Sequence, residues 1–521
     1  MTSIFRRILV VCALAGAAFA DAADMTFTVT RTDDPAPDGC SIGDCSLREA
    51  VLAANANSGA INSIMLDAAT YAVGAPRLDA LGNLRLLGKG SAQTSIIETG
   101  GVTTLAHSGE YLLVQGVTLD TTTTAELFTE LFAGGDRTAL IDVAMPNTLG
   151  RVSITGGSDA VIEDSDFRGS VRLINFCAFS ATTSQFTDLV LSQADVSNCT
   201  VTLDRIVVDG SLTAETSGLG VYMKSAAGDS TFAMFDSVVQ HAKTGMVLNF
   251  ADGLGQAGIE HMRYLDNDQP LWILGVTDAY IQDSEFADNH HDDITTPKPG
   301  ALWVYSKDVS VQVLRSTFSG NRGTASAGGA VRVDFGASLT LANSTFANNT
   351  FAVAAAEAGV RGAAVGYDSH NDVTVLRLKH VTIVPPALFP AGVAGTTIGG
   401  YGGETGLSLN VYNSILRGSC SLDADAMDVA VGSISSGTSC QLTDPSNQTG
   451  VSTSDIGLGT LDYHGGYTRT YVPAADSVAV DAGYASVCLD EDQRGYVRPL
   501  GNGCDVGAVE TGDVLFANGF E

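Results

Sequence analysis

The densest group of side chains able to do chemistry is Asp288-Asn-His-His-Asp-Asp293. Carboxylates and imidazoles this close could hold Ca²⁺ or a transition metal, or act as an acid/base pair. A calcium ion would take Asp288, Asp292 and Asp293, and a catalytic set would draw on Asp288, His290, His291, Asp292, Asp293 and Arg315. Arg332, Arg361, Arg377 and His380 are the other basic groups that could approach a groove. The bland alternative is a solvated loop. The stretch matches no lyase or hydrolase motif, and the chain holds no Ser/His/Asp arrangement, phosphate loop or paired CxxC pattern.

What must position such a group is a repeat. Ser310-Val-Gln-Val-Leu-Arg-Ser-Thr-Phe-Ser-Gly-Asn321 recurs 28 residues on as Ser338-Leu-Thr-Leu-Ala-Asn-Ser-Thr-Phe-Ala-Asn-Asn349. Val311 and Val313, like Leu339 and Leu341, alternate as on a strand with one buried face. Phe318 and Phe346 have the opposite parity, which places a corner near Arg315-Ser316 and Asn343-Ser344. Asp283-Ser-Glu-Phe-Ala-Asp-Asn289 and Tyr264-Leu-Asp-Asn267 are earlier copies, at spacings of 32 and 22 residues. Asp164 to Ser170 and Asn413 to Leu416 are weaker ones. Fixed strands joined by loops of free length describe a solenoid. The sequence therefore predicts an all-β chain: a right-handed, single-stranded parallel β-helix, with Phe and Asn ladders along stacked coils. A β-sandwich is the alternative.

At 521 residues the chain exceeds a single compact core, a limit that a one-dimensional array escapes. Residues 1–20 read as a cleavable signal peptide, with Arg6-Arg7 before an apolar run too short to span a bilayer. That predicts a secreted or outer-surface protein. Loss of the two arginines moves the formal charge from −31 to −33. So acidic a chain excludes nucleic acid and anionic membranes as partners and permits calcium or basic ones. No transmembrane helix is expected, and a monomer is. Cys12 leaves with the signal, and local pairing of the remaining eight gives Cys40–Cys45, Cys177–Cys199, Cys420–Cys440 and Cys488–Cys504.

In chain order, 24–72 form an N-terminal cap with a helix at about 46–56. Leu47, Val51 and Leu52 share its apolar face, and Ser46 with Glu49 makes a capping box. Residues 73–450 form the β-helix, with excursions expected at 121–138 and at 384–402. Residues 451–511 close it, and 512–521 are a tail.

Cys45-Ser-Leu-Arg-Glu-Ala-Val-Leu-Ala-Ala-Asn-Ala-Asn57 resembles the CSLREA motif of bacterial secreted proteins. The Phe-x-x-Asn and Gly-Gly-Ala-Val units of 286–349 resemble repeats of polymorphic outer membrane proteins, though sparser. Leu458-Gly-Thr-Leu-Asp-Tyr-His-Gly-Gly-Tyr467, Asp476 to Gly483, Asp492-Gln-Arg-Gly-Tyr-Val-Arg-Pro499 and Cys504-Asp-Val-Gly-Ala-Val-Glu510 resemble the choice-of-anchor Q domain. These resemblances imply fold and export, not activity. In that setting Asp492, Arg494, Arg498, Asp505 and Glu510 read as ion pairs closing a cap, and His464 as a lone turn histidine.

Two functions follow as expectations. One is a non-catalytic, adhesin-like module that recognises polysaccharide or a surface protein along a rigid solenoid. The other is a polysaccharide lyase or glycosidase, since parallel β-helices host lyases that pair calcium-binding carboxylates with a basic residue in a groove. Trp272 and Trp303, the two tryptophans, are the stacking platforms available to a sugar.

Overall fold

The computed structural model describes residues 23–512 except 102, 123–127, 194–197, 213–219, 226–229, 251–254, 294, 325–326, 353–361, 369–371, 390–394, 401–405 and 424. The signal-like residues 1–20, Arg361 and tail residues 513–521 lie outside the described residues.

The coil around the repeat shows how the chain is built. Leu271–Leu274, Asp278–Gln282 and Glu285–Ala287 pair in parallel with Leu302–Tyr305, Ser310–Leu314 and Thr317–Ser319 of the next coil. Each coil thus lays one strand on each of three faces. Continued from Thr26–Thr28 to Gln448–Thr449, this register makes a parallel β-helix. The repeat copies lie in the predicted register, Ser310 on Ser338 and Phe318 on Phe346. Phe286, Phe318 and Phe346 stack with ring centroids 4.6 and 4.7 Å apart and nearly parallel planes. The Asn289 amide donates to Asn321 Oδ1 at 2.9 Å, and the Asn321 amide to Asn349 Oδ1 at 3.0 Å. These buried amides serve backbone groups of the loops that water cannot reach.

Many corners are made by one residue of positive φ followed by a serine. Asp283, Arg315 and Asn343 have φ near +45° to +49°, a conformation in which Asp and Asn are enriched. The next residue's hydroxyl donates to the carbonyl two positions back and accepts the N–H of the preceding coil, as when Ser316 bonds Leu314 O at 2.8 Å and Ser284 N at 3.2 Å.

At the start, the helix Leu47–Ala56 has Ser46 as its N-cap, with both capping-box hydrogen bonds formed. Leu47 and Val51 are buried, but Leu52 is exposed and leaves the predicted apolar face. Both expected excursions contain strand. Phe128–Ala133 pairs with Leu105–His107 and Gly150–Thr155, and Thr396–Gly400 lies on Val365–Asp368. Glycine masks the second from its sequence pattern. A Cβ at Gly400 would stand 2.1 Å from the Tyr367 ring, so the close approach demands glycine there.

The C-terminal segment does more than close the last coil. It runs back along the side of the solenoid, where Gln493 bonds Thr317 and Thr345, Asn343 bonds Glu491 O, and Tyr484 N bonds Asn413. Within it, Arg498–Glu510 is a fully buried ion pair at 2.7 Å, and the partly buried Arg494 pairs with Asp492 at 2.7 Å. Disulfides close Cys40–Cys45 and Cys420–Cys440. The other two expected pairs stand as neighbouring thiols. Cys177 and Cys199 directly precede the paired strands Ala178–Thr182 and Thr200–Asp204, and burial beside a second thiol pushes Cys199 up to about 12.

Candidate functional site

The side chains of the loop 288–293 take separate partners. Asp288 occupies a corner of positive φ and Asn289 turns inward to the amide ladder. His291 is buried with its ring nitrogens 2.8 Å from Thr296 O and 3.3 Å from Asp268 O. Asp292 pairs with Arg322 at 2.5 Å. Asp293 accepts from Thr295 and Thr296, which holds its carboxyl down to about 2. His290 faces Asp266 and Asp268 at 3.7 and 4.0 Å. Consecutive residues fan outward and inward, so the three aspartates expected at calcium do not converge within ligand distance among the described residues.

The structure gathers chemistry elsewhere, on the corner column. Successive coils place Asp236, His261, Asp283 and Arg315 at equivalent corners, each with positive φ. His261 Nδ1 lies 2.9 Å from Asp236 Oδ1, and Nε2 lies 3.8 Å from Glu260 and 4.0 Å from Asp283. Arg315 grips Asp283 with two hydrogen bonds of 2.9 and 2.6 Å, and this carboxylate raises the basicity of the guanidinium. Arg315 is the one residue of the sequence-predicted set that reaches this site.

The far wall comes from the C-terminal segment. The Tyr467 ring stacks on the His261 imidazole at a centroid distance of 3.8 Å and is itself 59% exposed, so its other face is open. Tyr463 OH donates to Glu285 at 2.8 Å, and Arg469 pairs with the other oxygen of that carboxylate at 2.5 Å. Burial, and then the Glu285 charge, raise the Tyr463 phenol above its ordinary value. Between the walls lies a cleft of about 250 Å³, lined by Asp236, Ser237, Val238, His261, Met262, Arg263, Asp283, Glu285 and Tyr467.

This arrangement can bind through many polar contacts and can move a proton. A Nδ1–H donating to Asp236 leaves Nε2 beside Glu260 and Asp283, and an imidazole held this way at the cleft lining can exchange a proton. A metal is a poor occupant of Glu260, His261 and Asp283, because the Arg315 cation already neutralises Asp283.

The other sequence candidates lie apart. Trp272 and Trp303 stack on each other at 4.7 Å on a different face, and Arg332 lies over Trp303, so the ladder occupies the ring faces that a sugar would need. Arg332 pairs with Asp334 and Asp368, and Arg377 bonds Ser338. His464 bonds Thr470. Asp236, His261, Glu285 and Tyr467 are absent from the sequence-predicted set. The aligned repeat could have found the first two, since each corner lies three residues before the stacked aromatic or its equivalent. Nothing local could have brought Tyr467 to them.

No protein-family model matches the chain, and no curated protein matches it either. Among solved structures it is similar to the A-module of mannuronan C-5 epimerase AlgE4 from Azotobacter vinelandii. The identity is 14%, with 67% of this chain and 93% of that one covered, and the TM-score is 0.37. The A-module of AlgE6 from the same organism gives 14%, 68%, 94% and 0.34. A PL6 alginate lyase in complex with a trisaccharide gives 10%, 82%, 97% and 0.31. At such scores these neighbours carry nothing about the chemistry of this chain, whose own strand register defines its fold.

Proposed function

We propose that the protein is an exported β-helix module that binds a hydroxyl-rich polysaccharide in the cleft between the corner column and the C-terminal segment. The observation that carries this reading is the open face of Tyr467 above a wall of alternating donors and acceptors. An aromatic face with a few fixed polar groups is the usual composition of a site for an amphipathic ring. The carboxylates Asp283 and Glu285 are already matched by Arg315 and Arg469, so the wall favours neutral hydroxyls over an added charge. The N-terminal signal pattern and the CSLREA and choice-of-anchor Q resemblances support export.

A second reading is a carbohydrate-active enzyme, favoured by the Asp236–His261 hydrogen bond. A polysaccharide panel scored for both binding and product release separates the two. The binding module predicts retention of at least one glycan with no product. Product release that disappears in His261→Asn would overturn it in favour of the enzyme, and a panel blank in both readouts would reject a glycan ligand.

A further inference from the structure

A second cluster lies further along the same column, where the C-terminal segment meets the solenoid. His380 is a buried corner residue within the strand Thr374–Val384, Cys488 follows the short turn Ala485–Val487, and Cys504 is buried beside Asp505. One ligand atom of each lies within 4.8 Å of the others. His380 Nδ1 faces the Gly507 carbonyl at 3.3 Å. The tautomer that donates there leaves Nε2 as an acceptor, which the Asn413 amide at 3.1 Å and the Leu489 N–H at 3.4 Å now face and which a metal would take from them.

We propose that His380, Cys488 and Cys504 bind one borderline-soft divalent cation, zinc above all, which ties the C-terminal segment to the β-helix. Two sulfurs and an imidazole are a zinc donor set, and three protein ligands leave the fourth position to water. Binding releases both thiol protons, and the two thiolates balance the dication, so the buried site gains no net charge. Asn413 packs against both the imidazole and one of the sulfurs. Its amide nitrogen now lies 3.1 Å from His380 Nε2, 3.2 Å from Tyr484 O and 3.8 Å from Cys504 Sγ. Its two protons therefore keep two acceptors when a metal takes the imidazole, and one of these is a ligating sulfur. The Glu260–His261–Asp283 group has no such balance, because Arg315 stands against it.

The test is elemental analysis of the full mature chain purified without chelator, with Co²⁺ titration of the chelated protein. About one equivalent of zinc per chain is expected, and Co²⁺ should give the thiolate charge-transfer bands of a tetrahedral site. His380→Asn and Cys504→Ser should each lower occupancy at least about tenfold, whereas Cys177→Ser should not. Metal-free protein whose Cys488 and Cys504 peptides are linked as a disulfide would overturn the proposal. So would occupancy retained in His380→Asn. If the cysteine variant does not fold, the wild-type Co²⁺ spectrum decides, and absence of the thiolate bands rejects the site.

Discussion

At the residue scale, the molecule depends on identical side chains meeting across coils. Phe318 is fully buried between Phe286 and Phe346. Truncation to alanine leaves a cavity whose neighbours are held by their own strands, so Phe318→Ala should cost about 3–5 kcal/mol. Urea unfolding checks this, and a near-neutral result would refute the stacked core. Asn321 donates to Phe286 O at 2.9 Å and accepts the Asn289 N–H at 3.1 Å. Asn321→Ala strands both groups and should cost about 1–3 kcal/mol for each; Asn321→Asp should recover part of it by restoring the acceptor. The Phe and Asn ladders were legible in the sequence because register repeats identity at constant offset from a corner. The corner column was not, because Asp236, His261, Asp283 and Arg315 share a backbone conformation rather than a residue type.

At the scale of elements, the N-terminal helix is set by a few capping atoms. Glu49 accepts the N–H of Ser46 at 2.7 Å and of Asp38 at 3.0 Å, which lowers its carboxyl from 4.5 to about 2. The folded-state value lies below the unfolded one, so the contribution is complete above about pH 4.5 and disappears as pH falls to about 2. Stability of Glu49→Gln should therefore change less over that window than wild type, as denaturation at a series of pH values would reveal. Ser46→Ala, removing the other half of the box, should cost about 1 kcal/mol. The capping box was visible because it is local. The strand Thr396–Gly400 was not, because glycine there answers a contact with Tyr367, far away in sequence.

At the scale of the whole molecule, the C-terminal segment converts a simple solenoid into one with a walled groove. Gln493 holds it down, bonding Thr317 at 2.8 Å, Thr468 at 2.9 Å and Thr345 at 2.6 Å, all buried. Gln493→Ala should cost about 1–3 kcal/mol through the hydroxyls left unpartnered. It should speed amide exchange over 455–512 while coils near 160–200 keep their protection, since coils contact only their neighbours. Equal exchange in both regions would show the segment to be incidental. The sequence marked this segment as distinct but not where it lies, because its contacts cross more than a hundred residues. For the same reason the loop 288–293, dense in the right residue types, stood out in the sequence, while the cluster of His261 and Tyr467 did not. Tyr467 is the residue on which the proposed glycan cleft depends. The most direct test of that dependence is isothermal titration of the best-retained glycan into wild-type and Tyr467→Ala protein of equal thermal stability. A loss of about tenfold or more in affinity, about 1.4 kcal/mol, is expected. Unchanged affinity would contradict it and place recognition elsewhere on the solenoid.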